Sequence, residues 1–194
     1  MTTYDSHRYA SINRWDPSHL KRIDRLISMQ PGDRVLEVGC GQGHLTRALA
    51  ARGIDIIGVD ANPRAADVAG NGIVRHMVAE ALDFEDETFD FVISVHAIEH
   101  IPPLEQALEE MARVLKPGGQ AMFIYPAEPI QGLYAIPTSI ILHGSPFKAR
   151  QVHCHKLSPS KVRALFEKHG MEETGHEFSL FKSPQFASVF EKLG

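Results

Sequence analysis

Ten residues do most to limit what this chain can become: RVLEVGCGQG, Arg34 to Gly43. A short apolar run, Arg34 to Val38, reads as a strand and enters three glycines spaced G-x-G-x-G. His44 to Arg52 follows with Leu45, Ala48 and Leu49 at helical spacing, and Gly53 suits the position just past its end. A strand that turns through glycines into a helix lets the backbone approach a ligand without Cβ clashes. It also presents the unpaired N–H groups of the helix start. A dinucleotide site would use G-x-G-x-x-G here; this spacing differs. Asp60 closes the next apolar run, where a carboxylate can accept hydrogen bonds from a ribose diol. A tight strand-to-helix turn with no ligand is the plainer alternative.

The same alternation continues along the chain. Asp16-Pro17 is a helix start, with Leu20, Ile23, Leu26 and Ile27 as a stripe reaching Met29 and Gln30 to Asp33 as its stop. Ile54 to Val59, Ile73 to Val78, Phe91 to Val95 and Ala121 to Tyr125 read as the second to fifth strands, with a short helix after Asn62-Pro63. Leu104, Leu108, Met111 and Leu115 line a helix ended by Lys116-Pro117-Gly118-Gly119. Ser158-Pro159 opens a helix that stops at Gly170, and Met171 to Phe181 follows as a sixth strand. Strands alternating with helices predict βαβ units, and near-continuous apolar strands predict a parallel sheet covered on both faces. The expected fold is α/β, a Rossmann-like doubly wound, mostly parallel sheet in one domain over 1–194. Residues 1–15 form an arm and 126–157, with prolines 126, 129, 137 and 146, an insertion or lid after the fifth strand with a short helix around Ile136 to Leu142. The tail to Gly194 gives no clear element.

Composition narrows the partners. A net charge of −4 gives no electrostatic case for sequence-independent nucleic-acid binding. No apolar run reaches the roughly 18 residues of a membrane span, and the polar start MTTYDSHRYASINRWDP has no secretory h-region. Cys40 and Cys154 make no C-x-x-C pair, so neither a disulfide framework nor a cysteine-rich zinc site is implied. A cytoplasmic protein with a small-molecule partner is expected; no feature speaks to oligomeric state.

VLEVGCGQG, then GVDAN, DETFDFVIS and RVLKPGG, in that order over 34–125, resemble the class I S-adenosylmethionine-dependent methyltransferases. The resemblance is strongest to their small-molecule and ubiquinone-biosynthesis-like subgroup. It implies a seven-stranded-type sheet, whose last strand is missing or irregular here, and S-adenosylmethionine as cofactor. It implies that Glu37 and the loop Gly39, Cys40 and Gly41 hold the methionine part, that Asp60 takes the ribose hydroxyls, and that Ala61 flanks the adenine. The family's acid after the third strand falls on Val78, a departure, so Ala79 and Glu80 are expected to meet the adenine instead. Val95 closes the fourth strand beside the cofactor.

The stretch VHAIEHIP, Val95 to Pro102, follows that strand. Its H-x-x-E-H matches a zinc-protease pattern, but Ile101-Pro102-Pro103 interrupts the long helix such a motif needs. Three readings stay open. His100 is a packed strand-end residue; or His96 or His100 is a general base that takes the acceptor's proton; or His96, Glu99 and His100 bind a divalent metal ion. The third follows from likeness to magnesium-dependent ubiquinone-pathway O-methyltransferases and small-RNA 2′-O-methyltransferases, which carry E-x-x-E-H here. His96 replaces their first glutamate and favours softer ions than Mg²⁺. In that reading VHCHKLS supplies a fourth ligand, His155 with His153 as the alternate.

The function expected is methyl transfer to an oxygen of a small molecule. A metal-dependent 2′-O-methyltransferase acting on RNA, a non-catalytic methyltransferase-like partner subunit and an NAD(P)-dependent dehydrogenase are the rivals. Tyr4, His7, Tyr9 and Trp15 in the arm either cap the site or pack on the first helix; Phe147, Lys148 and Arg150 either meet an anionic substrate or form a solvated patch.

Overall fold

A computed structural model describes residues 16–64, 72–180 and 183–194. The arm 1–15, with Tyr4, His7, Tyr9 and Trp15, lies outside the described residues, as does most of the helix expected after Asn62-Pro63. The elements are α1 Ser18–Leu26, β1 Arg34–Val38, α2 His44–Ala50, β2 Asp55–Asp60, β3 Val74–His76, β4 Phe89–Val95 and α3 Leu104–Val114. They continue with β5 Leu115–Pro126, α4 Ile136–His143, α5 Ala149–Val152, α6 Pro159–Phe166, β6 Met171–Ser179 and β7 Gln185–Lys192. The seven strands run in the order β3-β2-β1-β4-β5-β7-β6. β1 to β5 pair in parallel, and β7 runs antiparallel between β5 and β6.

Side chains alternate across the strands and so build two cores. Val35, Ile93, Met122 and Ile124 face α1 and α2, against Ile23, Ile27, Leu45 and Leu49. Leu36, Val92, Phe123 and Phe190 face α3 and α6, against Leu108, Met111, Val162 and Phe166. The chain leaves β1 towards β2 on one side, while β4 lies on the other. The crevice for a ligand in such a sheet opens where the order reverses, beyond the carboxyl ends of β1 and β4.

Three expectations are corrected. The tail is a regular strand: β7 pairs with β5 from Gln120–Glu191 to Pro126–Gln185, so the seventh strand is neither missing nor irregular. Polar Ser188, between Phe186 and Phe190, masks the apolar alternation on that face. Lys116 to Gly119 does not separate α3 from the fifth strand but is a bulge within β5, where Phe89 pairs with Leu115 and Phe91 with Gln120. A Cβ at Gly119 would lie 2.8 Å from the Lys116 carbonyl and 3.0 Å from that of Asp90, and Lys116 Nζ bonds Asp90 Oδ1 at 2.7 Å. Finally, α1 ends at Leu26 rather than Met29, because Ile27 is already extended.

β7 is clamped by aromatic stacking, with the Phe166 and Phe190 rings 5.0 Å apart at 21° and Phe123 against both. Phe190→Ala leaves a cavity in this fully buried cluster and is expected to destabilise the fold by about 3–5 kcal/mol. Urea denaturation checks it; a loss below about 1 kcal/mol contradicts the packing described.

Candidate active site

The glycine loop begins where β1 ends. Gly39 and Cys40 donate to the Val59 carbonyl at 2.8 and 3.0 Å, so the loop hangs on the end of β2. Asp60, the last residue of β2, ties it further: Oδ2 accepts from Gly41 N at 2.7 Å and Oδ1 from Asn62 N at 2.8 Å. Burial raises the Asp60 pKa, and those two N–H bonds and the charge of His76 pull it back in part. Glu37 sits under the loop, 4% exposed, and accepts from Thr46 Oγ1 at 2.6 Å. Burial pushes its carboxyl up to about 8, Thr46 opposes, and the charge of Asp60 adds to the rise. Ala61 accepts from the ring of His76 at 3.2 Å. Across from it Ala79 is buried, Glu80 half-buried and Val78 exposed.

The second wall comes from the end of β4. His96 N donates to the Ile124 carbonyl at 2.8 Å, yet His96 has φ +52, a left-handed conformation rare outside glycine. That turn swings the chain back over the loop. A Cβ on Gly39 would lie 2.2 Å from that of Ala97, so the two segments touch at a position only glycine can fill. One helical turn, Ile98–His100, then carries Glu99 inward.

Glu99 is 1% exposed. Its Oε1 lies 3.5 Å from His96 Nδ1 and 3.8 Å from His100 Nε2, and its buried Oε2 has no hydrogen-bond partner. Burial pushes the carboxyl up, but the surrounding histidines, His100 first, outweigh burial and hold it below the ordinary glutamate range. Burial moves His100 below the ordinary histidine value, against the pull of Glu99. The side chain of His96 is 35% exposed, the open member of the group, and its ring stands 5.4 Å from that of His19 in α1.

The expected metal set is only partly assembled. Among the described residues, Glu99, His100 and His153 have potential ligand atoms within 4.8 Å of one another. His155 is not in that group: its Nε2 meets the carbonyls of Ile101 at 2.9 Å and Pro102 at 3.2 Å, so the ring donates to backbone and pins the insertion. The H-x-H spacing could not decide between the two histidines, because the turn after α5 sets which one faces inward. Phe147, Lys148 and Arg150 lie exposed in the insertion.

The general family model for a methyltransferase domain matches residues 36–123. The ubiquinone biosynthesis O-methyltransferase of Nitrosomonas europaea is 29% identical over 178 residues, covering 86% of this chain and 75% of that protein. That of Pseudomonas putida is 34% identical over 124 residues, 59% of this chain and 53% of its own length. The chain thus spans about half the length of most of the curated relatives it matches. A solved S-adenosylmethionine-dependent methyltransferase from Methanosarcina mazei superposes with a TM-score of 0.67 at 19% identity, over 93% of this chain and 99% of that one, which shows the shared fold. The chain belongs to the class I S-adenosylmethionine-dependent methyltransferases.

The site of this methyltransferase fits its family's cofactor. Each Asp60 oxygen receives one N–H and retains a lone pair for a ribose hydroxyl. The anionic, partnerless Oε2 of Glu99 likewise suits a cation. Sequence reasoning missed Thr46, which supports Glu37, and Glu128, which bonds His153. A carboxylate two residues past the end of β5, at the ligand edge of the sheet, was the available signal for Glu128.

Glu37 yields a stability test. Burial holds the folded carboxyl at about 8, above the ordinary glutamate value of 4.5. Its contribution is therefore fully present below pH ~4.5 and lost as pH rises through about 8. Glu37→Gln keeps a Thr46 acceptor without a buried charge. The cofactor-free variant is expected to melt several degrees above the parent at pH 8.5 and close to it at pH 4.5. A melting-temperature difference that does not grow with pH contradicts the assignment.

Proposed function

We propose that this methyltransferase transfers the methyl group of S-adenosylmethionine to a hydroxyl oxygen of a small molecule. The observation that carries the reading is the contact of Gly39 with Ala97, which sets the Glu99–histidine group against the glycine loop at the sheet's switch point. The ubiquinone-biosynthesis relatives, named as O-methyltransferases, support oxygen as the acceptor atom.

When bound, the cofactor supplies an activated methyl on a sulfonium; the chain's own work is alignment and proton transfer. Glu37 and the backbone of Gly39, Cys40 and Gly41 hold the methionine part. Asp60 takes the ribose diol. Ala61, Ala79 and Glu80 border the adenine, and Val95 floors the site at the end of β4. His96 is the accessible proton acceptor. With its Nδ1 turned to Glu99, Nε2 is the nitrogen offered to the acceptor hydroxyl. As the hydroxyl oxygen takes the methyl and the carbon–sulfur electrons return to sulfur, His96 takes the hydroxyl proton and Glu99 stabilises the resulting imidazolium. His100 is half-buried beside Glu99 and holds it in place rather than meeting the substrate. The Glu99 group also offers donors for a divalent ion, which would lower the pKa of the acceptor hydroxyl.

Two measurements test this. Asp60→Ala removes charged acceptors worth about 1.5–3 kcal/mol each; calorimetry is expected to show at least a tenfold loss of S-adenosylmethionine affinity, and unchanged affinity contradicts the site. Methyl-labelled cofactor offered with phenols, alcohols, amines and RNA 3′ ends is expected to label oxygen of a small molecule. His96→Ala should lower that turnover by about 10²–10⁴ with cofactor affinity intact. Label on nitrogen or on RNA alone contradicts the reading.

A further inference from the structure

α1 carries a charge on the face it turns to the sheet. Its buried residues are Ile23, part of the core shared with α2, and Arg22, 7% exposed. Arginine is almost never taken out of water unless its donors are met. Those of Arg22 are met only in part. Its Nε donates to Glu177 Oε1 on β6, while Nη1 and Nη2 are buried and have no hydrogen-bond partner among the described residues. Arg25, three residues along α1, donates from Nη2 to both oxygens of the same carboxylate, at 2.7 and 2.6 Å. Two guanidiniums on one carboxylate leave one positive charge in excess, and the buried end of that cluster is the unmet fork of Arg22.

The fork lies at the ligand end of the sheet. Val95 pairs with Ile124, Ile124 with Ala187 and Ala187 with Glu177. The carboxylate that holds Arg22 therefore stands on the row that reaches β4 one residue before His96. That row spans three strand spacings, roughly 14 Å. His19 precedes Arg22 by three residues, hence lies on the same side of α1, and its ring stands 5.4 Å from that of His96. With one helical turn between His19 and Arg22, the fork comes within on the order of 10 Å of His96. Paired N–H groups on a planar guanidinium match a carboxylate in both charge and shape. A single excess charge also matches a monoanion; a phosphate monoester, at about −1.5 to −2, would stay only partly neutralised.

We propose that Arg22 binds a carboxylate of the methyl acceptor, so that the acceptor is a hydroxylated acid with its hydroxyl at His96. The place of the hydroxyl rests on the methyl-transfer reading; the anion site on α1 does not. A span on the order of 10 Å suits an aromatic ring with a short acid arm better than a carboxylate directly on the ring. The acid completes the hydrogen bonds of a buried guanidinium. A neutral analogue leaves them unmet, and a site of that kind discriminates strongly against the analogue that lacks the partner.

Calorimetric titration of the protein saturated with S-adenosylhomocysteine tests the proposal, with 3,4-dihydroxycinnamate, its amide and 3,4-dihydroxybenzoate as probes. The parent is expected to bind the cinnamate about 10–100-fold more tightly than its amide, and more tightly than the benzoate. Arg22→Gln should abolish that preference and leave affinity for the amide and for S-adenosylmethionine unchanged, which also checks folding. Arg22→Lys, which keeps the charge without the fork, should recover part of it. Glu177→Gln keeps an acceptor for Arg22 Nε and should retain the preference. An Arg22 that serves only its ion pair would make Glu177→Gln and Arg22→Gln behave alike, which overturns the inference. Failure of the parent to bind the acid, or equal affinity for acid and amide, overturns it as well. So does loss of S-adenosylmethionine affinity in Arg22→Gln, since that would put the cofactor's own carboxylate on Arg22. Acid binding through Arg22 with no methyl delivered to its oxygen sinks the oxygen-transfer reading alone; methyl delivered to the oxygen of amide and acid alike sinks this inference alone.

Discussion

The burial of one negative charge, on Glu99, organises the functional half of the molecule. A carboxylate taken out of water needs compensation close by. His96 comes from its own turn, His100 from the next residue and His153 from the insertion, more than fifty positions along the chain. The backbone around Glu99 holds the insertion as well. His155 N donates to the Glu99 carbonyl at 3.2 Å, and the rings of His155 and His100 reach carbonyls on opposite segments. The chain between β5 and α6 is therefore docked on the turn after β4 by the same few residues that make the site.

That turn is tied to the glycine loop by sterics. The left-handed backbone at His96 costs of order 1–3 kcal/mol and is maintained by the sheet, since His96 N still bonds the Ile124 carbonyl. It drives Ala97 onto Gly39, and Asp60 clamps the far side of the loop. The loop is thus gripped between the ends of β2 and β4. Two titratable acids with raised pKa values, Glu37 and Asp60, line it. Clustering of perturbed groups beside an acid–histidine set is what a site poised for charged ligands needs.

Much of this was legible in the residues. The G-x-G-x-G turn, Asp60 at a strand end and the apolar alternation specify a doubly wound sheet, because each is a local signal read at one place. β7 was not legible: it fills a gap between β5 and β6 that only the assembled sheet creates, and its alternation is diluted by Ser188 and Glu191. The bulge at Lys116 to Gly119 looked like a stop because proline and glycines suit both. His153 and His155 differ by two positions, and their roles separate only once the turn after α5 fixes which ring meets Glu128 and which meets Ile101. Glu128 itself, in AEPIQG, carries no motif; its meaning comes from the histidine it faces.

The account rests on the glycine loop and the Glu99 group forming one site. A crystal structure of the protein with S-adenosylhomocysteine examines that most directly. The account predicts cofactor density along Gly39 to Gly41 with its ribose on Asp60 and its sulfur turned towards His96. Cofactor density elsewhere, or a sulfur remote from His96, would contradict it.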